Sequence, residues 1–446
     1  MSARDMSISG SSATPSPAEV TGGQMEQGQD FNRRSIYVLG VIILVGAFNY
    51  FDRYILGLMA PLIRADIEIS DTVYGLISGF AFVLFYSLVG VPIGALSDKI
   101  SRRNVISAGF VVWTVMTMLT GMVTTAVQLT VTRFLVGAGE ACGSAPANAM
   151  VNDMFNQRTR GRALSIYFAL SSGLSSIVLI PLAGIVSAIY GWRTTFVVAG
   201  LMGLVVAAIF FFTVTEPPRR AVAANKDEAP RSGRFLDLSF IKLPFALLMC
   251  SSALAGANLN AGMSWNAIFL NRVHGLTVTE ITVALGPFRG IFSIAGVLLG
   301  GFLIDRLIRG DRRWRLWLPA ISIFLIFPSQ LLFLLGESRW IWMTGIGLDS
   351  IVHLMHVAPV YALAMELAGP QRRALGLSIL MLCSMLVGSG LGPLLVGYLN
   401  DQLLADMGNQ AIRASLVIVA AFPALASLML LSASYVLQRD RKRQGD

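Results

Sequence analysis

The chain has 446 residues, 55% of them hydrophobic and 13% charged, with a mean hydropathy of +0.68, a balance too apolar for a water-soluble fold of this length. Its net charge of +9 invites nucleic acid as a partner, and the placement of that charge excludes it. With both termini cytoplasmic, 26 of the 34 Lys and Arg fall on the cytoplasmic side, Arg64, Arg193, Arg272, Arg339 and Arg413 fall opposite, and Arg53, Arg133 and Arg289 lie within the membrane, the positive-inside asymmetry of an even number of spans.

Residues 1–35 are rich in Ser, Gly, Gln and Pro and lack an apolar signal segment, which predicts a disordered cytoplasmic tail. Twelve apolar runs of membrane-crossing length follow: Ile36 to Ala60, Val73 to Leu96, Val105 to Val123, Val127 to Val151, Ala163 to Ile189, Thr194 to Val214, Leu243 to Asn271, Thr279 to Ile304, Leu316 to Gly336, Ile341 to Leu367, Leu375 to Leu399 and Ile412 to Val436. The longest polar connection, residues 216–242, divides them into six (36–215) and six (243–437), and a basic tail, 438–446, ends the chain. The expected class is all-α integral membrane, twelve transmembrane helices in two pseudo-symmetric six-helix halves.

Span 1 carries Asp52 and Arg53, and span 4 carries Arg133 and Glu140. Each ionisable group at this depth costs at least ~2.5 kcal/mol, so each is a functional candidate. Arg133 and Glu140 are nearly two helical turns apart, on one face and about 10 Å along the axis. A buried carboxylate is pushed toward its neutral form and pulled back by a nearby guanidinium, so its proton affinity depends on whether the Arg is close. Asp52 and Glu140 are expected to carry protons, with Arg53 and Arg133 as alternating partners. A static ion network that only fixes helix packing is the other reading.

Cytoplasmic charges recur. Gly94, Asp98, Lys99 and Arg102 after span 2 are matched by Gly301, Asp305, Arg306 and Arg309 after span 8, while Asp153 and Glu366 each precede an Arg by seven residues, Arg160 and Arg373. Both pairs occupy corresponding positions in the two halves. Cys142, Cys250 and Cys383 fall in different spans and imply no disulfide framework.

In the second half, span 7 contains Gly256 and Gly262 with Asn258, Asn260, Trp265 and Asn266, reading as an interrupted, amide-bearing helix of the kind that binds substrate near the midplane. Span 8 places Arg289 beside Gly286-Pro287, suited to an anionic group or to an acidic partner in the bundle. Asp349, His353 and His356 share one face of span 10. That stripe is expected to line a water-filled cavity; a zinc site would need a further ligand, so neither metal nor cofactor is expected.

These motifs support a resemblance. The segment from Gly94 to Arg103 resembles the signature loop of the major facilitator superfamily, and the resemblance covers nearly the whole chain after the tail. It implies that Asp98, Arg102, Asp153, Asp305, Arg309 and Glu366 form a cytoplasmic gate, where a purely structural role at headgroup level is the alternative. Asn49-Tyr50-Phe51-Asp52-Arg53 and Gly137-Ala138-Gly139-Glu140-Ala141 resemble the Spinster lipid transporters, and also their relatives among proton-coupled organic-anion symporters. The resemblance implies a monomeric, proton-driven secondary transporter in a cell membrane, with a lysolipid- or sphingolipid-like anionic amphiphile as substrate. A small carboxylate is the alternative. No nucleophile with a base, metal cluster or nucleotide-binding loop points to an enzyme or a primary pump.

Overall fold

The computed structural model describes residues 32–97, 99–156, 159–217, 238, 240–311, 313–369 and 372–444. Among these every regular element is a helix. In lipid the backbone has no water to bond, and a helix satisfies its N–H and C=O groups within one segment.

Helix α1 is Arg33–Asp66, α3 is Arg102–Thr120 and α4 is Ala126–Met154. α2 is built from Asp71–Gly75, Leu76–Ala81 and Phe82–Ser97. α5 runs through Arg160–Leu174, Ser175–Leu179 and the first part of Ile180–Thr213, and ends where Gly191 adopts φ 80°. Only glycine takes that conformation cheaply, so the chain reverses there and α6 (192–213) begins. In the second half α7 is Leu243–His274 and α8 joins Val278–Glu280, Ile281–Leu285 and Gly286–Gly310. α9 is Trp314–Leu335 and α10 is Arg339–Met355 with Val357–Ala368. α11 joins Arg373–Cys383, Ser384–Ser389 and Gly390–Met407, and α12 joins Ala411–Ala420 and Phe422–Gln444.

Eight stretches are long and apolar enough to cross a membrane, and two of them, Arg160–Thr213 and Leu375–Val436, are hairpins of 54 and 62 residues. With α3 and α4 they make twelve crossings in two halves of six, as the apolar runs predict. Turns are set by local chemistry: Ser70 and Thr125 cap α2 and α4, Thr277 and Glu280 form a reciprocal capping box on α8, and Gly275 (φ 68°) closes α7.

Two features differ from expectation. α7 is not interrupted at Gly256 or Gly262. It is continuous, and Gly256 instead lets α11 approach, since a Cβ there would lie 3.0 Å from the Ser384 carbonyl oxygen. The second is four π-helical turns inside α2, α5, α8 and α11: Leu76–Ala81, Ser175–Leu179, Ile281–Leu285 and Ser384–Ser389. These four helices form the seams between the halves, α2 against α11 and α5 against α8, with α1 against α7 between them.

Candidate functional site

The membrane charges of the first half gather between α1 and α4. Glu140 is fully buried, and its Oε2 accepts from Arg53 Nε at 3.0 Å and from Asn49 Nδ2 at 2.9 Å. Its Oε1 has no partner. Arg53 is 29% exposed at its side chain, with its guanidinium 5.5 Å from the Phe82 ring and 5.3 Å from the Tyr86 ring of α2, a cation held on aromatic faces. The Arg53–Glu140 contact therefore has one end sealed in protein and the other open.

The neighbouring residue on α1 points elsewhere. Asp52 is 2% exposed and accepts from Thr117 Oγ1 of α3 at 3.0 Å. Arg133 is also buried, lies 5.7 Å over the Phe196 ring of α6, and has no hydrogen-bond partner for Nε or Nη2. It lies within electrostatic reach of both Asp52 and Glu140. So α1 and α4 bring together the four expected residues, with one pair closed, Arg53 with Glu140, and one cation, Arg133, unbonded. A buried guanidinium without a partner is costly, which gives it reason to exchange partners.

In the second half the expected substrate residues separate. Asn258 and Gln330 exchange hydrogen bonds of 2.7 and 2.9 Å between α7 and α9, and Asn258 also donates to the Val419 carbonyl of α12 at 3.2 Å. Trp265 is fully buried, donates from Nε1 to the Pro393 carbonyl at 2.9 Å and packs edge-on against Tyr74. Both side chains are thus committed to helix–helix contacts in this conformation. Asn260 donates to Gly256 of its own helix. Asp349 and His353 pair at 3.1 Å, and together with His356 they are more than nine-tenths buried. Among the described residues no group of three or more His, Cys, Asp or Glu is arranged to hold a metal ion.

Arg289 belongs to neither of these pairs. It lies on the side of α8 that carries Gly296 and Gly300, which pack on α10, and opposite Ile291, Leu298 and Phe302, the residues turned to lipid. It is half-buried and is absent from the ion pairs among the described residues. Eleven residues in from Val278 it sits about 16 Å along the helix, near mid-membrane.

Of the charges expected to form a cytoplasmic gate, Asp98 lies outside the described residues, as does the side chain of Asp305. Arg102 is paired with Asp153, and Arg315 with Glu366 at 3.1 Å; each pair lies within one half. Arg309 is exposed.

A cluster of cross-half charge contacts, which the sequence reading missed, lies on the opposite side. Asp71, at the start of α2, accepts from both ends of the Arg272 fork of α7 at 2.8 and 2.9 Å, from Asn400 of α11 at 2.9 Å, and pairs with Arg64 of α1. The Asp401 carboxylate of α11 accepts the Asp71 and Thr72 backbone N–H groups at 3.0 and 2.8 Å, so one half caps a helix of the other. The side away from the termini is latched. The sequence signal was that Asp71 and Asp401 stand at span ends on the face that holds five of the 34 Lys and Arg.

A family model described as Major Facilitator Superfamily matches residues 42–318. The chain is 30% identical to an MFS-type efflux pump of Mycolicibacterium smegmatis, over 92% of this chain and 94% of that protein. It is 27% identical to the hexuronate transporter of Bacillus subtilis, over 64% and 67%. Its fold matches the crystal structure of a bacterial homolog of the human lysosomal transporter Spinster in an inward-facing, unoccupied conformation, with a TM-score of 0.79 and 24% identity, covering 92% of this chain and 99% of the other.

Proposed function

The chain belongs to the Major Facilitator Superfamily, and we propose that within it this protein is a proton-driven secondary transporter of an anionic amphiphile, working by alternating access as a monomer in a cell membrane with both termini cytoplasmic. The observation that carries the proposal is the Arg53–Glu140 contact. A proton delivered to Glu140 neutralises the carboxylate and leaves Arg53 without its charge partner. The freed guanidinium then takes up an anion in competition with Glu140, because one Arg fork binds one carboxylate or phosphate bidentately at a time. Proton and substrate anion are thereby coupled through a single side chain.

Phe82 and Tyr86, against which Arg53 rests, supply an apolar wall beside the anion site and support an amphiphilic substrate. Arg289 on α8 is a second cationic position from the other half, and substrate held between Arg53 and Arg289 would favour closure of the halves around it. The latch at Asp71 supports a conformation closed on the side away from the termini. On this reading Arg102, Asp153, Asp305, Arg309 and Glu366, with Asp98, exchange partners when the inner side closes.

A second reading, exchange of small carboxylates with protons, is favoured by the similarity to the hexuronate transporter. Purified protein in liposomes with an imposed pH gradient separates the two. Gradient-dependent movement of labelled lysophospholipid, absent in Glu140→Gln, supports the first. Gradient-dependent movement of hexuronate with no response to lysolipid selects the second, and transport indifferent to the gradient rejects proton coupling.

A further inference from the structure

A π-helical turn bonds i to i+5 and so accommodates one residue more than an α-turn; such turns occupy well under ~1% of residues and gather at functional positions. Among the described residues four occur, one in each of α2, α5, α8 and α11. Those helices are the second members of the four three-helix units that make two halves of six. Chance placement does not select the same member four times.

The wide turns also lie at the contacts of the seams: in the α2–α11 seam they meet each other, and in the α5–α8 seam each meets the facing helix just beyond that helix's own turn. In the α2–α11 seam, a Cβ on Gly79, inside the turn of α2, would lie 2.5 Å from the carbonyl oxygen of Ser389, the last residue of the turn in α11. In the α5–α8 seam, Gly290 of α8 faces Ser176 of the α5 turn at 2.7 Å by the same measure, and a Cβ on Gly286 would be 3.2 Å from the Ser176 carbonyl. Thr282, inside the turn of α8, abuts Gly184 just beyond the turn of α5, and Thr279 donates to the Gly184 carbonyl at 3.4 Å. Backbones touch at the places where the regular ladder is interrupted. Proline comes two residues after the turns of α5 and α8, at Pro181 and Pro287, and four after that of α11, at Pro393, and proline lacks the N–H needed to tighten the ladder.

We propose that the four π-turns are the bearings of the transport cycle: each seam rolls at its pair of wide turns, and the extra residue moves along the helix as the outer side opens. This rests on the alternating-access reading above. A continuous i to i+4 ladder resists rolling because several bonds must break together. A wide turn moves one position by exchanging one hydrogen bond for another, and rotates the residues it passes relative to the facing helix. The polar latch at Asp71, Arg272, Asn400 and Asp401 lies at the outer end of the α2–α11 seam, five residues before the α2 turn begins, so breaking the latch and moving the turn act on one segment.

Deleting one residue from a π-turn restores a regular α-helix while leaving the faces of both flanks where they were, which makes the test direct. The deletions are of Val178, Val283 and Leu386, side chains 48%, 40% and 38% exposed, and the control is deletion of Val111, 43% exposed in the uninterrupted α3. In protein with Cys142, Cys250 and Cys383 replaced by serine, spin labels at Glu68 and Asn409 report the outer side and labels at Gly161 and Arg313 the inner side. Wild type should give two distance populations that exchange with pH and substrate. The π-turn deletions should fold, elute as wild type and give a single population with transport lost, whereas the Val111 deletion should fail to fold. Deletion variants that keep both populations and transport overturn the bearings. A wild type with one population under every condition overturns alternating access itself, a separate outcome.

Discussion

The two halves use the same helical positions for different chemistry. Glu140 lies fourteen residues into α4 and His353 fourteen residues into α10; the first is sealed against a guanidinium, the second against a carboxylate on its own helix. Between α7 and α9 the second half has the Asn258–Gln330 pair, neutral and saturated, while α1 and α4 hold four charges of which only one pair is closed. A neutral, fully bonded network fixes helices relative to one another. An incompletely bonded charged network has somewhere else to go. Between these two clusters burial does not mark the mobile chemistry, since both are buried; the number of unmet bonds does, and by that measure the second half has its own exception in His353 Nε2 and His356 Nδ1.

Glu140→Gln is the sharpest way to break that contrast. Glutamine keeps the volume and can still accept from Asn49, but it cannot ionise. Gradient-driven accumulation in liposomes should be lost while the protein elutes and melts as wild type. A collapse in thermal stability with residual coupling would make the Arg53 pair structural and the halves alike. Arg289→Gln should raise KM for the anionic substrate about tenfold or more with kcat little changed, because a charge-assisted hydrogen bond to ligand is worth ~1.5–3 kcal/mol and tenfold corresponds to ~1.4. An unchanged KM would leave substrate recognition to the first half alone.

Much of this was legible from residue order. The twelve apolar runs, the gap between Ile189 and Thr194 where α5 gives way to α6, and the shared depth of Asp52, Arg53, Arg133 and Glu140 are all short-range or compositional signals. What stayed hidden depends on distant partners. Asn258 reads as cavity-facing amide until Gln330, 72 residues on, is placed against it. Asp71 and Asp401 are 330 residues apart and read as ordinary loop charges. Arg272 counted only toward membrane orientation, although its fork on Asp71 joins the halves. The π-turns leave only a faint trace in Pro181, Gly286, Pro287 and Gly390, residues that carry no sign of the seams.

Arg272→Gln is expected to act on conformation. It removes two charge-assisted bonds at 2.8 and 2.9 Å from the latch, leaving Arg64 and Asn400 on Asp71. Losing ~1.5 kcal/mol or more from one side of a two-state balance shifts it about tenfold. A membrane-impermeant thiol reagent should then label a cysteine placed at Asn266, on α7, several-fold faster than in the wild-type background. Equal labelling rates would mean that the outer cluster orders loops without holding the halves.

The smallest effect is expected where the second half is most completely bonded. Asn258→Leu strands the Gln330 amide between α7 and α9, and interhelical hydrogen bonds within membranes are worth about 0.6 to 2 kcal/mol. Thermal stability should fall by that order with transport retained. Adding Gln330→Leu should recover part of the loss, since two apolar side chains leave no buried amide unsatisfied. The double-mutant cycle therefore reads the sign of the coupling directly. If Asn258→Leu instead abolished transport at unchanged stability, the amide pair would belong with Arg53 and Glu140 among the groups that move, and the contrast between a fixed half and a switching half would fail at its quietest point.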